Sequence, residues 1–123
     1  MNNNEELKIT SFDHYQELTR LTAKYPKELA IPYCTLGLTG EAGELANIVK
    51  KTIRDNAPID KIFSEAGDIL WYLARLLDEA GFKLSDVAEA NIKKLDERYK
   101  TGTIGGNGES IEERLSERDF IIT

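Results

Sequence analysis

The chain has 123 residues, of which 41% are hydrophobic and 31% are charged, so we expect one soluble, helix-rich domain with a moderate core. Its net charge of −6 argues against a nucleic-acid polymer as a partner, because phosphate backbones attract Lys and Arg. Cys34 is the only cysteine, which excludes an intrachain disulfide and a cysteine-based metal site. Because the sequence has no run of about 18 apolar residues, we expect no membrane span and a cytoplasmic location.

Four helices are predicted in chain order from apolar spacing, capping residues, Pro and Gly. Thr10 or Ser11 caps the first, which runs to Pro26. The second runs from about Tyr33 to Asp55. Asp60 caps the third helix, which ends near Ala80, before Gly81. Ser85 caps a fourth helix, which reaches Tyr99.

The third predicted helix is apolar over most of its circumference, which indicates burial on several sides. A chain of this length offers few helices to cover it, so we expect Leu70, Trp71 and Leu77 to lie at a subunit interface. From Thr101 the composition changes to a glycine-rich loop, followed by a short helix over Glu109–Arg118. We therefore expect a single domain over residues 1–123, with a core of about residues 10–100 and a tail over residues 101–123.

A pattern of paired acids occurs twice. Glu41-Ala42-Gly43-Glu44-Leu45 lies in the second helix and Glu65-Ala66-Gly67-Asp68-Ile69 in the third. Each pair is spaced by three residues and so shares one helix face. Apolar residues surround Glu41 and Glu65 on their helical wheels, whereas acids normally lie on the opposite face. Two such helices side by side would therefore bring four carboxylates around one point.

Unpaired buried carboxylates are costly, so a cation is expected among the four. With no His or Cys nearby, an all-oxygen site favours Mg²⁺, or Mn²⁺, over zinc. A di-iron bundle needs Glu-x-x-His pairs, which the chain lacks. The competing interpretation is a set of solvated surface acids on two amphipathic helices.

Several other side chains are candidates for contact with a substrate. Lys51 falls on the Glu44 side of the second helix, and Trp71 and Tyr72 follow Asp68 on the third. Asn91, Lys94 and Arg98 form a polar, partly cationic strip on the fourth helix, suited to phosphate. Core packing for the aromatic residues and ordinary solvation for the others remain the alternatives.

These motifs resemble those of the MazG-like, all-α nucleoside triphosphate pyrophosphohydrolases. The resemblance covers about residues 12–108 and continues through Leu36–Glu44, Gly67–Tyr72, Asn91–Leu95 and a Gly102-Thr103-Ile104-x-Gly106 tail like that of small phage-type members. It implies an all-α, four-helix bundle-like core completed by dimerisation, with a glycine-rich C-terminal tail. Assembly as a dimer or a tetramer is expected.

The resemblance also implies Mg²⁺-dependent cleavage between the α- and β-phosphates of an NTP or dNTP, as in nucleotide pool clean-up. Carried over, the metal ligands and catalytic acids would be Glu41, Glu44, Glu65 and Asp68; the nucleotide or phosphate contacts would be Tyr72, Asn91, Lys94 and Arg98. Gly40 stands where many members have a second glutamate, so the identity of the base stays open. The alternatives are hydrolysis of another pyrophosphate ester, such as phosphoribosyl-ATP, and a catalytically silent helical dimer that binds nucleotides or a protein partner.

Overall fold

The computed structural model describes residues 7–102 and 111–117. Throughout these residues the regular structure is helical, which confirms the predicted all-α class. None of the helices described is both long and apolar enough to cross a membrane. The elements in chain order are α1 (Phe12–Thr19), 3₁₀ turns at Arg20–Thr22 and Lys27–Leu29, α2 (Ala30–Asp55), α3 (Ile62–Glu79), α4 (Leu84–Lys100) and α5 (Ile111–Glu117).

The chain forms two compact units, Met1–Ser85 and Asp86–Thr123, and α4 begins in the first and continues in the second. In the first unit, α2 and α3 pack along each other and α1 packs against α3. In the second unit, the Asp96 carboxylate accepts a hydrogen bond from the Ile111 amide at the start of α5, and Arg114 stacks over the Tyr99 ring at 3.8 Å.

Three helix ends follow from local residues. The Ser11 hydroxyl accepts a hydrogen bond from the His14 amide at 3.0 Å, so Ser11 caps α1 as predicted. α2 ends at Asn56, which adopts the left-handed conformation at φ 54°. α3 ends before Gly81 at φ 87°, a conformation that suits a residue without a side chain.

Two predicted bounds are wrong. The first helix does not reach Pro26. After Thr19 the α-helix gives way to a 3₁₀ turn, and the backbone becomes extended at Ala23. The second begins at Ala30 rather than near Tyr33. Pro32 fits inside its first turn because the amides there have no partner within the helix.

Two predicted caps are also wrong. α3 begins at Ile62 without a side-chain cap, and Asp60 contributes its backbone carbonyl instead. At α4, the Ser85 amide and hydroxyl both donate to the Asp13 carboxylate, at 3.1 and 2.7 Å. These bonds lower the pKa of Asp13. The cap of α4 therefore comes from α1, a tertiary contact that local spacing does not reveal.

Buried polar side chains hold α1 to the end of α3. Gln16 is buried, and its amide donates to the carbonyls of Ala74 and Phe82 and accepts from the Leu84 amide. Arg75 is also buried, and its guanidinium donates to Asp78, Glu79, Tyr25 and Thr19. Since a buried charge is costly without partners, these carboxylates are what allow Arg75 inside an apolar helix.

Candidate functional site

The packing of α2 against α3 brings three acids together. Glu41 extends from α2, and Glu65 and Asp68 extend from α3 with the three-residue spacing that places them on one helix face. One carboxylate oxygen of each can be chosen so that all three lie within 4.8 Å of one another. The three acids, which we call the acid cluster, thus form an all-oxygen set of the kind that hard divalent cations prefer.

The acid cluster contains a buried oxygen without a partner. Glu41 and Glu65 are half-buried and Asp68 is exposed. The Oε2 atom of Glu65 is inaccessible to solvent and has no hydrogen-bond partner. A buried acceptor normally has a partner, because leaving it unsatisfied costs about 1–3 kcal/mol. A divalent cation would satisfy this oxygen, so the residues present fit a metal ion.

Electrostatics within the acid cluster lead to the same conclusion. The interaction with the Glu65 carboxyl group is the largest cause that raises the pKa of Glu41, and partial burial and the negative charge of Asp68 raise it further. The neighbouring acids therefore make the ionised form of Glu41 less favourable than that of an isolated carboxylate. A bound cation would offset this repulsion and stabilise the ionised acids.

Glu44, the fourth predicted acid, is exposed on α2 and is not part of the acid cluster. It follows Glu41 by three residues and so lies on a neighbouring part of the same helix face, but its carboxylate is not among the three whose oxygens come together. Its role as a ligand or base stays a prediction.

A cavity of about 330 Å³ opens beside the acid cluster and is lined by Thr22, Glu41, Asp68, Trp71 and Tyr72. The indole Nε1 of Trp71 donates to the Thr22 hydroxyl at 2.8 Å. The rings of Trp71 and Tyr72 meet edge to face at 5.0 Å and 89°. Two aromatic residues predicted as substrate contacts therefore form one wall of a pocket that contains two acids.

Thr22 also lines this pocket, and the sequence did not predict it as a pocket residue. It lies in the 3₁₀ turn after α1, and no local pattern distinguishes it from an ordinary polar residue at the end of a helix. Only its tertiary contact with α3 places it at the pocket.

The phenol of Tyr72 keeps its proton at neutral pH. Burial raises its pKa first, and the nearby Tyr33 and Glu41 raise it further. Burial likewise raises the pKa of Tyr15, with a smaller contribution from the charge of Asp68. Tyr72 can therefore donate a hydrogen bond into the pocket, for example to a phosphate or sugar oxygen.

Lys51 lies away from the acid cluster. It is exposed, ten residues after Glu41 on α2, which corresponds to about 15 Å along the helix axis. It lines a different cavity with Ile48, Ala57, Pro58, Asp60 and Lys61. Its predicted contact with a substrate stays a prediction.

The predicted cationic strip is on α4. Asn91, Lys94 and Arg98 are all exposed there, on the part of the helix that belongs to the second unit. Their spacing of three and four residues places them on one helix face, as the sequence indicated. Whether they contact phosphate stays a prediction.

Comparison with known proteins adds to this geometry. No solved structure matches the chain. A similar protein is the Gene 37 protein of Mycobacterium phage L5, which is 38% identical over 110 residues that cover 80% of this chain and 96% of that protein. Residues 33–103, which include the acid cluster and both pocket aromatics, match the family described as the MazG nucleotide pyrophosphohydrolase domain. The resemblance inferred from the motifs is thereby confirmed, and the chain belongs to the MazG nucleotide pyrophosphohydrolase domain family.

Proposed function

We propose that the protein is a Mg²⁺-dependent nucleoside triphosphate pyrophosphohydrolase that releases a nucleoside monophosphate and pyrophosphate. The observation that carries the proposal is that Glu65, which has a buried carboxylate oxygen without a partner, belongs to a cluster with two further carboxylates. Family membership supports the reaction class, and the neighbouring pocket supports a small substrate. Nucleotide pool clean-up is the proposed role.

In this proposal, Glu41, Glu65 and Asp68 hold the metal ion. When bound, Mg²⁺ offsets the charge of the phosphates and lowers the pKa of a water molecule. Glu44, exposed one turn along α2, is a candidate for a further ligand or for the base that takes the proton of the attacking water. Mn²⁺ is expected to substitute, because it accepts the same oxygen ligands.

The chain's other residues bind and orient the nucleotide. Trp71 and Tyr72 offer a ring surface and a phenol hydroxyl beside the acids, suited to the nucleoside part. Asn91, Lys94 and Arg98, together with Lys51, are proposed to contact phosphate oxygens, because cationic and amide donors suit phosphate.

We also propose that the protein self-associates as a dimer or tetramer. Ala42, Ala46, Val49 and Ile53 line an apolar groove on α2, and Ile53 is 81% exposed. Leu70 is also exposed, while Trp71 and Leu77 are half-buried. Apolar side chains exposed in this number along the two longest helices favour a contact with another subunit.

The reaction is tested by measuring pyrophosphate release from a panel of ribo- and deoxyribonucleoside triphosphates with Mg²⁺ and with Mn²⁺. Glu65→Gln and Asp68→Asn should abolish release, and Glu28→Gln, at an exposed acid outside the cluster, should leave it unchanged. Equal release by the wild type and both cluster variants would refute the proposal. Turnover of phosphoribosyl-ATP but of no triphosphate would favour a different pyrophosphate ester as the substrate.

A thermal-shift titration separates metal binding from turnover. Mg²⁺ or Mn²⁺ should raise the melting temperature of the wild type, because a ligand of the folded state stabilises it. Glu65→Gln should lose most of that increase. Nucleotide binding without any turnover in either metal would instead indicate a catalytically silent dimer.

A further inference from the structure

Gly37 and Tyr72 face each other across α2 and α3, one helical turn away from the acid cluster. Gly37 precedes Glu41 by four residues on α2, and Tyr72 follows Asp68 by four residues on α3. A Cβ atom placed on Gly37 would lie 2.5 Å from Cδ1 and Cζ of the Tyr72 ring and nearer still to Cε1. The ring therefore occupies the space that any side chain at residue 37 would need.

The other glycines of these two helices differ from Gly37. A Cβ on Gly40, Gly43 or Gly67 would meet no atom within 4 Å beyond its chain neighbours and the backbone of its own helix. Glycine is less favourable than alanine inside a helix. Close packing against a neighbouring side chain explains why a glycine is present, and a glycine with free space around it has no such explanation. At residue 37 the reason is close approach of the Tyr72 ring.

We propose that Gly37 is a positioning residue for the metal site. Because Gly37 has no side chain, the Tyr72 ring packs directly against α2, and this contact determines the distance between α2 and α3. That distance fixes the separation across which Glu41 meets Glu65 and Asp68. The inference rests on the proposed function, since it concerns the geometry of the same metal site. Mg²⁺ and Mn²⁺ demand oxygen ligands at nearly fixed distances, so a small change in helix separation weakens the site.

A methyl group at residue 37 has two ways to avoid the ring, and both disturb the site. Either α2 and α3 move apart, which separates Glu41 from the two acids on α3, or the Tyr72 ring leaves its place. In the second case the pocket loses a wall, and the edge-to-face contact of the ring with Trp71 is lost as well. Gly37→Ala thus acts on the acids through Tyr72 and without touching them.

Mn²⁺ affinity, measured by electron paramagnetic resonance of the free ion, tests this proposal apart from activity. Gly37→Ala should weaken Mn²⁺ binding by about tenfold or more, the size expected when the support of a metal ligand is lost. Gly40→Ala is the matched control, because the same methyl group enters open space three residues away on the same helix. It should retain the wild-type affinity.

A second pair of variants approaches the contact from the ring and applies even if Gly37→Ala does not fold. Tyr72→Phe keeps the ring against Gly37 and should retain the wild-type Mn²⁺ affinity, whereas Tyr72→Ala removes the ring and should weaken it. In the double variant Gly37→Ala/Tyr72→Ala the added methyl should cause no further loss, because the atoms that it would meet are gone.

The two proposals fail in different ways. A wild-type protein that binds no Mn²⁺ would refute the proposed metal site and with it this inference. A wild type that binds Mn²⁺ while Gly37→Ala binds equally well would refute the inference alone. Equal affinities of Tyr72→Ala and Tyr72→Phe would refute it as well.

Discussion

The indole nitrogen of Trp71 donates a hydrogen bond to the hydroxyl of Thr22, a residue 49 positions earlier in the chain. The bond joins the 3₁₀ turn after α1 to the middle of α3 and fixes the indole at the pocket beside Asp68. Because the only hydrogen-bond donor of the Trp71 side chain is bonded to Thr22, a ligand can contact only the ring surface of Trp71. A nucleobase on this side of the pocket would therefore pack against the indole ring and receive no hydrogen bond from it.

Thr22→Val should release the indole while keeping the shape of the side chain. We expect a loss of about 0.5–1 kcal/mol in the free energy of unfolding, since the bond is partly solvated. Trp71 is the only tryptophan, so its fluorescence emission reports directly on its surroundings. Thr39→Val is the control, because its hydroxyl bonds only within α2. Emission and urea midpoint identical to the wild type would contradict the prediction.

Gln16→Leu should destabilise the protein although it replaces a buried polar residue with an apolar one. The Leu84 amide and the Phe82 carbonyl would lose their partner near the start of α4, at a cost of about 1–3 kcal/mol. Urea denaturation measures the change. Glu17→Leu, at the exposed neighbouring position, should have little effect, and equal midpoints for the two variants would count against this role of Gln16.

Stability should depend on pH through Asp78. Arg20 and Arg75 donate to its carboxylate and, with the first of these bonds as the largest cause, lower its pKa to about 2. The folded protein thus holds this carboxylate ionised at a pH where the unfolded chain protonates it. Its stabilisation is present above the ordinary pKa of 3.8 and is lost as the pH falls through about 2.

The expected loss is about 1–2 kcal/mol, because solvent weakens the pair with the exposed Arg20. Urea denaturation over this acidic range, compared between the wild type and Asp78→Asn, isolates the contribution. The variant should show a flatter pH dependence, whereas Asp60→Asn, at an exposed acid, should follow the wild type. Parallel curves for the wild type and Asp78→Asn would exclude the effect.

Self-association should depend on the apolar groove of α2. Ala46→Glu places a charge inside the groove, and Asn47→Glu places the same charge on the neighbouring residue, which does not line it. Sedimentation velocity should therefore show dissociation for Ala46→Glu and wild-type assembly for Asn47→Glu. A wild type that sediments as a monomer at micromolar concentration would refute the proposed assembly, and two variants that assemble alike would exclude this groove as the contact.

Local pattern was sufficient to predict that the helices α2 and α3 form and that Glu41 and Glu65 lie within their apolar repeats, although it misplaced the start of α2 and the cap of α3. Both helices carry long apolar repeats, and an acid inside such a repeat is visible on a helical wheel. The pattern did not give the register of one helix against the other, which decides that Asp68 joins the acid cluster and Glu44 does not. Register depends on the fit of whole surfaces, such as the Tyr72 ring against Gly37.

The surroundings of Arg75 show the same limit. Its partners Asp78 and Glu79 follow at three and four residues, a spacing that local reasoning can interpret. Its bond to Tyr25 spans 50 positions and depends on where the segment after α1 returns to α3. Sequence spacing carries no information on such a return, and for that reason Thr22 and Tyr25 were not predicted as contacts of α3.

The ribosome adds Asp13 to the chain long before Ser85, whose amide the Asp13 carboxylate caps. Ser85 lies 72 positions later, and at about 5–20 residues per second a ribosome takes about 4–14 seconds to deliver it. For most of that interval α1 has neither the end of α3 nor the start of α4 to bind. The opening turn of α4 can therefore acquire its cap only after the first three helices have emerged, which makes this contact a late event in the maturation of the chain.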